Sequence, residues 1–170
     1  MHKTLAATPL LATVLWFGTF LTTTVHAEQD SSASQQTGQA LTNETLSTML
    51  SNMGYEPKAL SKGFLIAKKV DSWTINVQVV LSPNLTKIGM NANLGKVDKL
   101  EDITAPQLLT LLISNGDIDP SCFYIDRDQK KVYLHRSLDN RAVTPAFLRE
   151  QIDAFCGNVR STADQWKFTK

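Results

Sequence analysis

Histidine and cysteine are scarce. The 170 residues hold three histidines and two cysteines, and His2 and His26 both fall near the start of the chain. A zinc centre needs several Cys, His or carboxylate ligands close together, so this inventory argues against one. No charge of one sign dominates, since 17 Lys and Arg stand against 16 Asp and Glu. A nucleic-acid partner would want a basic patch, and none is expected. The chain has no G-x-S-x-G, no glycine loop to cradle phosphate and no dinucleotide fingerprint. Hydrolysis by a serine elbow and nucleotide chemistry thereby lose their usual signatures, and no cofactor is expected.

Long apolar runs are missing too. Leu10–Leu21 is mostly apolar but falls short of the ~20 residues that span a bilayer. Lys3 precedes it, and Val25-His26-Ala27 places small residues at −3 and −1 of a cleavage site. This order predicts a secretory signal peptide over residues 1–27. Cleavage would remove Lys3, leaving equal numbers of basic and acidic residues and His135 as the sole histidine. The exported protein is then periplasmic or secreted, with no stable membrane span. Residues 28–40 are small and polar without periodicity, a flexible linker. Residues 41–170 suit a single domain with one core.

Periodicity orders that domain. Leu46, Met49, Leu50 and Met53 recur at helical spacing after Thr42 and Asn43, with Gly54 as a stop. Tyr55 to Leu60, interrupted by Pro57, fits a short edge strand or loop. Three strands follow, alternating with period two: Phe64–Lys68, Trp73–Leu81 and Ile88–Leu94. Thr104 and Gln107 make a capping box for a second helix that Gly116 should end. Its apolar residues, Leu108, Leu109, Leu111, Leu112 and Ile113, exceed one stripe, which implies burial on two sides or a partner. Leu108, Leu109 and Leu112 are candidates for self-association as a homodimer.

The segment Asp119–Leu138 then alternates on both arms of a hairpin, with Phe123, Ile125, Val132 and Leu134 on one face. Thr144 and Pro145 start a last helix whose stripe is Leu148, Ile152, Phe155, Val159 and Trp166. The order is helix, three or four strands, helix, two strands, helix. That is an α+β domain with an antiparallel sheet and flanking helices.

The hairpin is the stretch richest in chemically capable side chains. Asp117, Asp119, Ser121 and Asp128 sit at positions 1, 3, 5 and 12 of a calcium loop, but position 6 needs glycine and holds Cys122. Cys122 and His135 fall on neighbouring ends of the two arms. They are the only basis for an alternative reading as a small exported hydrolase, and they lack an orienting third group. Two cysteines in an oxidising compartment permit one bridge, Cys122–Cys156. The face opposite the core carries Thr74, Asn76, Gln78, Asn91, Asn93, Tyr124 and Tyr133. These neutral, polar and aromatic side chains suit contacts with a protein or peptide partner, or an ordinary wet sheet face.

Three segments carry a family resemblance: "LSTMLSNMGYEPK", "FLIAKKVDSWTINVQVVLSPNLTKIGMNANLG" and "APQLLTLLISNGDIDPSCFYIDRDQKKVYLHRSLDNRAVTPAFLREQIDAFC". The Gly-Tyr after the first helix, the hairpin ending "LHRSLDNRAVTP" and the helix with "LREQIDAF" resemble the YbjN-like group of bacterial sensory-transduction regulators. The resemblance spans residues 43 to 167. It implies the fold of type III secretion chaperones, α-β-β-β-α-β-β-α. It implies no enzymatic activity and supplies no catalytic residue. The leader departs from the usual secretion chaperone, which works in the cytosol. The leading expectation is therefore an exported, non-enzymatic binding or regulatory protein.

Overall fold

The computed structural model describes residues 39–170. The expected signal peptide and nearly all of the expected linker lie outside these residues. The described chain runs α1 (Asn43–Asn52), β1 (Lys58–Ala59), β2 (Phe64–Val70), β3 (Trp73–Leu81) and β4 (Lys87–Lys96). It continues through α2 (Ala105–Asp117), β5 (Ser121–Asp126), β6 (Lys131–Asp139), α3 (Pro145–Ser161) and α4 (Ala163–Trp166). The six strands form one antiparallel sheet in the order β1-β2-β3-β4-β6-β5. The expected α+β class and element order hold, with β1 as the two-residue edge strand.

Local chemistry explains where each helix begins. The Thr42 hydroxyl accepts from the Thr45 amide at 3.3 Å while the Thr45 hydroxyl accepts from the Thr42 amide at 2.8 Å. Thr104 and Gln107 repeat this capping box for α2. The Thr144 hydroxyl accepts from the Phe147 amide at 3.2 Å, and Pro145 opens α3. Each arrangement satisfies amide donors that a helix start leaves without partners.

One face of the sheet is covered. Ile66, Ile75, Val77, Val79, Ile88, Met90, Val132 and Leu134 are buried against Leu46 and Leu50 of α1 and Leu148, Ile152, Phe155 and Val159 of α3. Asn140 is a fully buried polar tie between segments. It accepts from the Leu41 amide at 3.1 Å, and its own amide donates to the carbonyls of Leu41 at 2.9 Å and Leu85 at 2.8 Å. Arg136 is also on this face and 4% exposed. Its guanidinium donates to the Ser121 hydroxyl at 3.0 Å and to Gln151 Oε1 at 3.0 Å, which fastens α3 to the β5–β6 hairpin.

Three sequence expectations need correction. α2 passes Gly116 and ends at Asp117, because the next residue, Ile118, is drawn into the core and its amide still donates to the Ser114 carbonyl at 3.2 Å. The last helix does not run through to Trp166. It breaks at Thr162, whose hydroxyl donates to the Asn158 carbonyl at 2.7 Å, and α4 then sets Trp166 edge-on to Trp73 with centroids 6.0 Å apart. Finally, the Cys122–Cys156 bridge is absent: both thiols are free. Cys156 is buried on α3, whereas Cys122 alternates with the core residue Phe123 and so faces away from that helix.

The chain end also joins the sheet. The Lys170 and Lys96 backbones exchange hydrogen bonds of 2.9 and 3.0 Å beside the β4 bulge at Asn93/Gly95. Gly95 has φ +148, and a Cβ there would collide with the Thr169 side chain. Only glycine allows that close approach.

Candidate functional site

The second face of the sheet is open, and its side chains line up in cross-strand rows. Gln78 pairs with Asn91, Asn91 with His135, and His135 with Cys122. Beside this row Asn93 pairs with Tyr133, and Tyr133 with Tyr124. Thr74 and Asn76 are exposed on the same face of β3. The residues singled out from the sequence are therefore brought onto one surface, and His135 lies in the middle of it.

The rows interlock. The two tyrosines stack with centroids 5.2 Å apart and planes 11° from parallel, and Tyr124 meets His135 edge-on. The Tyr133 hydroxyl donates to Gln129 Oε1 at 3.2 Å. His135 Nδ1 is 2.8 Å from Asn91 Oδ1, so the neutral ring carries its proton on Nδ1 and leaves Nε2 as an acceptor. Burial pushes the His135 pKa below its ordinary value and outweighs a backbone hydrogen bond at Met90 that raises it. Burial likewise raises the Tyr124 pKa, with the nearby Tyr133 adding to it. The platform is neutral, amide-rich and aromatic, a composition that makes adaptable hydrogen bonds and flat apolar contacts.

A second surface lies on α2. Leu111 and Ser114 face inward, with Ile118 beyond the helix end. Leu108, Leu109, Ile113 and Leu112 are 44, 55, 62 and 68% exposed. The three leucines expected to mediate self-association thus form one apolar stripe, and Ile113 extends it. Ile113 had the same sequence signal, being one of the apolar residues in excess of a single stripe. The inner side of α2 is fixed by an unusually direct tie. Asn115 Oδ1 accepts from the Phe123 amide at 2.6 Å, so the helix covers part of the free edge of β5.

The two cysteines have different surroundings. Burial pushes the Cys156 thiol up to about 12, partly offset by nearby Lys68. Lys68 itself is held by Asp153 at 2.7 Å. Cys122 is half-buried beside His135 in the β5–β6 register, and Asn91, on Nδ1, supplies the group orienting the imidazole that the sequence did not reveal. Among the described residues, no group of three or more His, Cys, Asp or Glu is placed to hold a metal ion. No described helix is long and apolar enough to cross a membrane.

No protein-family model and no curated protein matches the chain. Solved structures do match. A chain of the ExsC–ExsE complex aligns with a TM-score of 0.51 at 15% identity, covering 73% of this chain and 92% of that one. A chain of the HopA1–SchA chaperone–effector complex aligns with a TM-score of 0.51 at 12% identity, covering 70% and 90%. The fold is type III secretion chaperone-like. At these identities the likeness establishes the fold alone.

Proposed function

We propose that the protein is an exported, non-enzymatic binding or regulatory protein that engages a polypeptide partner and pairs with a second copy of itself. The observation that carries this reading is the α2 stripe. Four large apolar side chains side by side on one helix are unusual on a solitary soluble domain and mark an interaction surface. The open sheet face adds a neutral, aromatic platform for the partner chain.

The fold supports the same direction, since a chaperone–effector complex is built on it. The YbjN-like resemblance rests on the sequence segments quoted above and supports a regulatory role without catalytic residues. Export to the periplasm or the medium is supported by the leader-like sequence of residues 1–27. A hydrolase built on Cys122 and His135 is the weaker reading. Asn91 does orient the ring through Nδ1 and leaves Nε2 as an acceptor, but a nucleophile–base pair also needs the thiol at that nitrogen, and among the described residues Cys122 only neighbours His135 in the β5–β6 register.

Light scattering on the protein tests self-association. We expect twice the chain mass for the natural sequence and the single-chain mass for a Leu109→Ser, Leu112→Ser variant. A monomer for the natural sequence at every concentration would remove α2 as a self-association surface.

A further inference from the structure

The end of β3, the loop before β2 and the middle of β6 enclose a depression of about 510 Å³ on the open sheet face. Its floor is a single cross-strand row, in which Val80 pairs with Gly89 and Gly89 with Ser137. Alternation turns Val80 outward from the core that Val79 and Leu81 fill. Gly89 gives the row its depth. A Cβ there would stand 3.2 Å from Val80 Cγ1 and 3.5 Å from His135 Cε1, occupying the space over the floor.

The wall on the β2 side is firmly placed. Gln78 Nε2 donates to the Lys62 carbonyl at 2.8 Å. Gly63, at φ +74, lies so close to β3 that a Cβ would collide with the Val79 carbonyl oxygen. This loop brings Lys62 to the rim, and the start of β4 brings Lys87. Among the described residues, Lys62 belongs to none of the ion pairs. Lys87 is 3.8 Å from Asp139, but Arg141 already grips both oxygens of that carboxylate at 3.0 and 2.8 Å. Two ammonium groups thus border the floor, Lys62 outside the ion pairs of the described residues and Lys87 in a long contact with a carboxylate that Arg141 holds more closely.

We propose that this depression binds a small aliphatic carboxylate. The alkyl chain lies along Val80 and Gly89, and Lys62 and Lys87 compensate the carboxylate. Lysine suits that role as a mobile point charge, and the volume falls within the ~300–1,000 Å³ of small-ligand sites. The site is separate from the α2 stripe and stands or falls independently of self-association.

Isothermal titration of the full chain with butyrate, hexanoate, octanoate and decanoate, and with octanol, tests the proposal. We expect saturable one-to-one binding that tightens by up to about fourfold per added methylene until the floor is filled. Octanol should bind about tenfold more weakly, as should octanoate to a Lys62→Ala, Lys87→Ala variant. Ser137→Leu, made at an exposed strand position, should fill the floor and abolish binding. An unfolding curve checks that it folds, and the double lysine variant carries the test if it does not. No binding of any acid, equal binding of octanol and octanoate, or unaltered binding in the lysine variant would overturn the proposal.

Discussion

Single residues set the chemistry available on each face. Cys122 is half-buried on the open face, while Cys156 is sealed under α3 with its thiol pushed up to about 12. The thiolate is the reactive form. A thiol reagent should therefore label one cysteine readily in the native protein and two after unfolding without reductant. No labelling of the unfolded, unreduced protein would mean that the thiols are bridged after all. His135 sets a pH dependence. Burial holds its pKa below the ordinary 6.5, so the unfolded chain takes up the proton first as pH falls. The contribution to stability is complete above about pH 6.5 and declines as pH drops toward the lower folded value. The unfolding midpoint should fall between about pH 7 and pH 5, and His135→Gln should flatten that part of the profile. A profile that is unchanged in the variant would show that His135 does not cause it. Asp139 acts in a lower window. Its hydrogen bonds with the Arg141 side chain and backbone hold its carboxyl well below the usual carboxylate range.

Elements divide into those that close the core and one that does not. α1 and α3 each bury a complete stripe, and their truncation would open cavities. α2 buries Leu111 and Ser114 while presenting the other side of the helix to solvent. Leu109→Ser with Leu112→Ser should therefore shift stability of the isolated domain by no more than about 0.5 kcal/mol per site, as surface changes do. Leu111→Ser should cost several times that, about 2–4 kcal/mol, because it removes a buried side chain and buries a hydroxyl. Denaturant unfolding at a concentration where the protein is monomeric separates the two. Equal losses would place the exposed leucines inside the fold instead. The sequence made this element legible in part. The capping box located its start, and the surplus of leucines announced a second contact, but nothing in the pattern distinguished burial by this chain from burial by another. Its C-terminus lies beyond the Gly116 stop signal because Ile118 is a core anchor that draws the helix on.

At the scale of the molecule, alternation in the strands was enough to assign the two sheet faces. Gln78, Asn91, Asn93, Tyr124 and Tyr133 share the open face as their spacing implies. The lateral order was not legible, because period two reports which face a residue takes and not which strand lies beside it. The insertion of β6 between β4 and β5 is what brings His135 against Asn91, and it also joins Ser137 to Gly89 to complete the depression. The Cys122–Cys156 pairing failed for a related reason. Proximity in the fold does not help two thiols on opposite sides of a sheet.

The central claim is that two surfaces, the α2 stripe and the open face, meet other polypeptides. Site-specific photo-crosslinking in cells that make the protein tests it most directly. A photoreactive side chain would replace Leu112, Asn91 or, as a control on the exposed side of α3, Glu150. The account predicts an adduct with a second copy of the chain from position 112, an adduct with a different polypeptide from position 91, and none from position 150. Absence of adducts from 112 and 91, or equal adducts from 150, would contradict it.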